Sequence, residues 1–243
     1  MPLSVTPVPC LSDNYCWLLR DSAAGAVALC DPGEAAPAIA AIEAAGGRLD
    51  LILLTHHHGD HIDGVAALRA RFPGARLAGA AADAHRLPPL DLALAPGDSV
   101  ALGESRAVVI DTPGHTRGHV AFHFAQDDVL LCGDTLFSLG CGRLLEGTAA
   151  DMYESLRALA ALPAKTLVCC GHEYTDSNAR FAVTVEPGNT ALADRVREVA
   201  AQRAAGRPTV PTTIGAERAE NPFMRAAGVA QLAERRAAKD KFR

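Results

Sequence analysis

No uncharged apolar run in the 243-residue chain approaches the ~20 residues a membrane-spanning helix needs. The opening Met1-Pro-Leu-Ser-Val-Thr-Pro7 lacks the basic start and long apolar core of a secretory leader. No Cys-x-x-Cys occurs, and the seven cysteines (10, 16, 30, 132, 141, 169 and 170) are odd in number. That pattern suits reduced thiols in a cytoplasm better than a disulfide framework. Basic residues are not in excess: 23 Lys and Arg stand against 28 Asp and Glu, giving −5. A general electrostatic attraction to nucleic acid is therefore excluded. No serine or cysteine stands out beside a catalytic base, so nothing points to a side-chain nucleophile.

What the chain does have is a soluble enzyme's composition, 49% apolar and 21% charged, and one histidine-rich stretch. The apolar run Leu51-Ile-Leu-Leu54 ends at Thr55-His-His-His-Gly-Asp-His61. A His-x-His spacing puts His56 and His58 on one side of extended chain, not on one face of a helix, so a helical zinc-protease pair is excluded. His57 then points the other way and reads as a packing residue. Three more apolar runs repeat the pattern. Ala107–Thr112 is followed by Pro113-Gly114-His115, Val129–Cys132 by Gly133-Asp134, and Thr166–Cys170 by Gly171-His172. If these strands share a sheet, their ends meet at one edge, where α/β sheets place their sites. Seven ligand candidates at one edge suffice for two metals.

In order and spacing, Thr55–His61, His115, Asp134 and His172 resemble the metallo-β-lactamase superfamily signature. Further motifs narrow the resemblance to the glyoxalase II (hydroxyacylglutathione hydrolase) family, from about residue 8 to the C-terminus. These are Thr112-Pro-Gly-His-Thr-Arg-Gly-His119, Gly133-Asp-Thr-Leu-Phe137, Gly140-Cys-Gly-Arg143, Glu146-Gly-Thr148, Gly171-His-Glu-Tyr-Thr175, Asn221-Pro-Phe-Met-Arg225 and Lys239-Asp-Lys-Phe242. The resemblance implies an α+β fold: a metallo-β-lactamase αββα sandwich with a small C-terminal helical domain. It implies a binuclear hydrolase domain over 1–173 and a glutathione-binding helical domain over 174–243.

By the same resemblance, His56, His58 and His115 hold the first metal, and Asp60, His61 and His172 the second, with Asp134 bridging. Imidazole and carboxylate ligands without thiolate suit Zn, with Fe or Mn as alternatives. Two such ions ~3.5–4 Å apart lower the pKa of a shared water from 15.7 towards ~7. The resulting hydroxide, held through Asp60 and Asp134, is the implied nucleophile on a thioester carbonyl. A thiolate leaving group, with a parent pKa near ~8.5, departs without a dedicated acid. The implied substrate is S-(2-hydroxyacyl)glutathione, S-D-lactoylglutathione in particular. Hydrolysis gives glutathione and D-lactate, the second step of methylglyoxal detoxification. Arg143, Tyr174, Arg236 and Lys239 match the family's glutathione contacts; Arg236 and Lys239 are three apart on a helix and share a face. Two departures stand out: Arg143 replaces the usual lysine, and Leu145 stands where many relatives have tyrosine. The alternative within the superfamily is a glutathione persulfide dioxygenase with a single iron. A monomer in the cytoplasm, without nucleic-acid or membrane partners, completes the expectation.

Along the chain, strands are expected at residues 3–6, 16–20, 26–30 and near 75–79, and helices at 35–45 and 62–72. Residues 91–102 read as a hairpin around Pro96-Gly97-Asp98. His119-Val-Ala-Phe-His-Phe124 alternates, which puts His119 and His123 on a half-exposed face, with His119 a possible support for His115. A helix capped by Asp151 is expected over 151–162, another over 190–205, and a last one from Val229. Asp31 and Asn14 are candidates for supporting the metal ligands.

Overall fold

The computed structural model describes residues 3–242, which divide into two compact units. Of the described residues, the first unit holds 3–111 and 118–133, and the second holds 112–117 and 134–242.

The first unit opens with β1 (Leu3–Cys10), β2 (Asn14–Asp21) and β3 (Ala26–Cys30), an antiparallel meander. Helix α1 (Ala35–Ala44) crosses to β4 (Leu51–Leu53), which pairs parallel with β3. Then come α2 (Gly59–Ile62), α3 (Val65–Arg71), β5 (Arg76–Ala80) and β6 (Leu92–Leu94), giving a sheet in sequence order β1 to β6. Strands β7 (Ser99–Leu102), β8 (Ser105–Asp111), β9 (Val120–Phe124) and β10 (Val129–Gly133) form an antiparallel run.

The first sheet is buried on both faces, and its sequence shows why. Cys16 and Leu18 of β2, Val27 and Leu29 of β3 and Ile52 of β4 join Ala38 and Ile42 of α1 and Leu68 of α3 in one core. The alternate residues Trp17, Leu19, Ala28 and Leu53 are equally buried, and β7 lies against β3. A strand apolar on every residue has this meaning, covered by helices on one side and by strands on the other. Each buried Val, Leu or Ile among them contributes ~1.5–3 kcal/mol relative to exposure.

Residues 91–102 are not a hairpin. β6 pairs parallel with β5, whereas β7 pairs with β8, so the Pro96-Gly97 segment carries the chain between two different strand sets. A three-residue strand has too few side chains for its alternation to reveal its partner. His119 and His123 are also not half-exposed: every residue of β9 is buried, and His119 and His123 are 0% and 8% exposed. Clean alternation marks two chemically different faces, not a wet one.

The second unit holds the short hairpin β11 (Leu136–Phe137) and β12 (Gly140–Cys141), then α4 (Ala149–Ala160) and β13 (Leu167–Cys170). It continues with α5 (Thr175–Val185), α6 (Thr190–Ala204), β14 (Thr212–Thr213), which pairs with β13, α7 (Ile214–Glu220) and α8 (Val229–Lys241). The cap of α4 is Thr148, not Asp151. Thr148 accepts from the Asp151 backbone and Asp151 bonds back to the Thr148 backbone, a capping box. Helices α5 and α7 were not expected from the sequence.

Candidate metal centre

In the first unit the loop leaving β4 is pinned by one carboxylate. Asp31, just past β3 and in the left-handed region (φ 52°), accepts from Thr55 N (2.8 Å) and Thr55 Oγ1 (2.7 Å). It also lies 3.1 Å from His61 Nδ1. A carboxylate can only accept, so His61 carries its proton on Nδ1 and its lone pair on Nε2. The Thr55 hydroxyl has given its hydrogen to Asp31 and therefore accepts from His56 Nδ1 (3.1 Å). His56 is thus fixed in the same tautomer. One acid, through one hydroxyl, sets the ring orientation of two imidazoles.

His56 Nε2 lies 3.1 Å from His58 Nδ1, close to the roughly 3.3 Å that separates two nitrogens on a tetrahedral ion. His119 stacks on His56 with centroids 4.8 Å apart and planes within 24°. Asn14 Nδ2 donates to Asp60 Oδ2 (3.0 Å) and to its carbonyl (3.3 Å). His61 Nε2 lies 3.7 Å from Asp60 Oδ2. His57 turns elsewhere, to the buried Asp83 (Nδ1 to Oδ2, 3.0 Å), which Arg86 also binds. Gly133 closes β10 at φ 46°; a Cβ there would lie 2.3 Å from Thr55 Oγ1 and 2.8 Å from His119 Nε2. Only glycine fits, and the next residue in the chain is Asp134.

The second unit carries His115, Asp134 and His172. His115 Nδ1 donates to the Arg143 carbonyl (2.9 Å), so its Nε2 bears the lone pair, 3.5 Å from Asp134 Oδ2. His172, just beyond β13, brings its Nε2 within 3.3 Å of the same oxygen. A single carboxylate oxygen flanked by two imidazole nitrogens is what a bridging ligand requires. The donor set of both units, oriented imidazoles and carboxylates with no thiolate, fits divalent ions of the Zn, Fe or Mn kind. Tyr174 stacks on His172 (4.5 Å, 6°), and Phe137 meets both rings edge-on. Gly142 sits so close that a Cβ would fall 2.0 Å from the Asp134 carbonyl.

A cleft of about 270 Å³ in the second unit is lined by His115, Asp134, Phe137, Tyr174, Arg143, Arg236 and Lys239. Arg143 is largely exposed and Leu145 points outward. Arg236 is 6% exposed; its Nη1 donates to the Cys141 carbonyl (2.7 Å), and its Nη2 pairs with Asp240 (2.9 Å). Lys239 Nζ donates to Ser177 O (2.9 Å) and Oγ (2.7 Å). Burial, reinforced by Arg236 and Arg180 and opposed by Asp240, lowers its pKa to about 8. Burial pushes the Cys141 thiol up to about 11, which keeps it protonated at neutral pH. Ser177 and Asn178 carried no sequence signal, because α5 opens on the polar run Thr-Asp-Ser-Asn.

Residues 11–172 match the profile described as metallo-beta-lactamase superfamily, and residues 173–242 the one described as hydroxyacylglutathione hydrolase C-terminus. The chain is 59% identical to a hydroxyacylglutathione hydrolase of Acidiphilium cryptum over 98% of this chain and 97% of that one. It is also 59% identical to one of Cereibacter sphaeroides, over 93% and 88%. Among solved structures, ETHE1 from Myxococcus xanthus superposes with a TM-score of 0.74 at 25% identity, covering 98% of this chain and 90% of that one.

Proposed function

The chain belongs to the hydroxyacylglutathione hydrolase family of the metallo-β-lactamase superfamily, and on that premise we propose that it hydrolyses S-(2-hydroxyacyl)glutathione, S-D-lactoylglutathione in particular, to glutathione and a 2-hydroxy acid. The observation that carries the reading is the cleft of the second unit. Metal-type ligands, His115 and Asp134, and cationic groups, Arg143, Arg236 and Lys239, line the same cleft. Glutathione carries two carboxylates in the same molecule as its thioester, which calls for cations in the cleft that holds the metal ligands.

His56, His58 and His115 would hold one ion and Asp60, His61 and His172 another, with Asp134 shared. When bound, two such ions supply a water acidic enough to attack at neutral pH and polarise the carbonyl. The protein's own groups do the rest. Asp31 and Thr55 keep His56 and His61 in the tautomer that presents Nε2, and the Arg143 carbonyl does the same for His115. Asn14 restrains the Asp60 carboxylate. Lys239, Arg236 and Arg143 take the glutathione carboxylates, Tyr174 contacts the tripeptide, and Phe137 walls the cleft beside them. No residue need protonate the departing thiolate, since a free thiol's pKa is only ~8.5. Zinc is the proposed metal, with the 1–173 segment as hydrolase domain, 174–243 as glutathione-binding domain, and a cytoplasmic monomer as the working form. Among the described residues no helix is long and apolar enough to cross a membrane.

Relatives at 59% identity bear the hydrolase name and the C-terminal profile is the hydrolase's own, which favours hydrolysis over persulfide oxidation. The test is thiol release from S-D-lactoylglutathione with metal content measured on the same sample. Rapid release with about two divalent ions per chain is expected. A single iron with oxygen uptake on glutathione persulfide would replace this reading with the dioxygenase one.

A further inference from the structure

The motif Asn221-Pro-Phe-Met-Arg225 lines neither the ligand set nor the cleft, yet Asn221 is 0% exposed. Its Nδ2 donates to the carbonyls of Phe137 (3.1 Å) and Gly140 (2.9 Å) and to Glu217 Oε2 (2.9 Å). Its Oδ1 accepts from Phe223 N (2.9 Å) and Met224 N (3.4 Å). Two hydrogens serve three acceptors, so the side chain's capacity is saturated. Phe137 and Gly140 are the paired residues that close the β11–β12 hairpin around Ser138 and Leu139.

The neighbouring backbone groups are gripped as well. Asn178 Nδ2 donates to Ser138 O (3.0 Å), Leu139 N donates to Glu217 Oε2 (2.8 Å), and Arg236 Nη1 donates to Cys141 O. The helical part of the unit thus fastens one hairpin, 137–141, through four buried polar side chains, across separations of 40 to 95 residues. Leu139 sits at φ 59°, a left-handed conformation that a non-glycine residue keeps only where its surroundings enforce it. The hairpin matters to the cleft. It brings Phe137 and Cys141 to its wall and lies between Asp134 and Arg143 in the chain.

We propose that Asn221, seated against Glu217, is a positioning residue for substrate: it fixes the 137–140 turn, so that the cleft wall meets the glutathione moiety already shaped. The inference rests on the hydrolase reading for the identity of the ligand. A preformed wall raises affinity by removing the cost of ordering it on binding. Release of the turn therefore weakens the ground state more than it slows the chemistry.

The test uses the full chain with Asn221→Ala and Asn221→Asp at 25 °C, below the melting of each; Asn221→Ser, which keeps one donor, substitutes if neither folds. Three quantities are read: amide hydrogen exchange over 137–141, the Kd for glutathione, and kcat and KM for S-D-lactoylglutathione. The expected result is faster exchange confined to 137–141, with Kd and KM raised together about tenfold and kcat within a few-fold of wild type. A lowered melting temperature with wild-type exchange, Kd and KM would reduce Asn221 to packing and overturn the proposal. So would faster exchange with unchanged Kd and KM. Wild-type turnover tests the hydrolase reading separately, and the exchange data report on the turn whatever thioester is the substrate.

Discussion

Raising the pH from 7 to 9 is expected to weaken substrate binding while leaving turnover nearly level, because Lys239 titrates within that window. Its Nζ spends two N–H bonds on Ser177 and sits half-buried beside Arg236 and Arg180, with Asp240 as the opposing charge. Burial and like charge both disfavour the ammonium form, so the pKa falls to about 8. With that pKa, roughly nine tenths of the side chain is charged at pH 7 and roughly one tenth at pH 9. If only the ammonium form holds a glutathione carboxylate, KM rises roughly tenfold over those two units, equivalent to about 1.4 kcal/mol. An ordinary lysine, titrating near ~10.4, would remain more than roughly nine tenths charged throughout. The assay is initial rates at saturating and limiting thioester from pH 6.5 to 9, corrected for spontaneous hydrolysis. Lys239→Arg keeps its charge across the range and should flatten the step. A KM that stays flat to pH 9 in the wild type, or a step that survives in Lys239→Arg, would refute the reasoning.

Asp134→Ala should lose bound metal and activity together, because it removes the oxygen that both His115 and His172 face; metal analysis and thiol release check this. Full activity would sink the bridging assignment. Glu220→Gln should stabilise the protein above neutral pH. Burial, with Glu217 adding to it, raises the Glu220 pKa to about 7. The wild type therefore loses stability as pH rises from the unfolded carboxyl's ~4.3 towards 7, and carries the full penalty above that. The whole shift converts to roughly 3–4 kcal/mol, which half-exposure screens to about 1 kcal/mol, measurable by urea titration at pH 8. Thr148→Ala breaks the capping box of α4 and should cost about 1 kcal/mol, a fall of roughly 2–4 °C in Tm with kcat unchanged.

The metal half of the site was legible because its ligands come in short motifs just after apolar strands. The spacing within Thr55–His61 and the Gly-Asp and Gly-His endings need no distant information. The proposed cationic anchors rest on resemblance alone, since a charged tail helix looks the same whether it binds substrate or faces water. Arg236 shows the limit: the sequence marks it as an anchor, while its guanidinium is also committed to the Cys141 carbonyl and Asp240.

By itself the sequence determined the family, through motifs that are local, and through that resemblance the layered α+β architecture and the proposed metal ligands. The tertiary structure alone decided which imidazole nitrogen each histidine presents, through Asp31, Thr55 and the Arg143 carbonyl. It alone decided that His119 stacks on His56, and that Asn221 grips a turn 81 residues upstream. Those are hydrogen bonds and ring contacts between distant parts of the chain. A sequence records the donors and acceptors but not which of them meet.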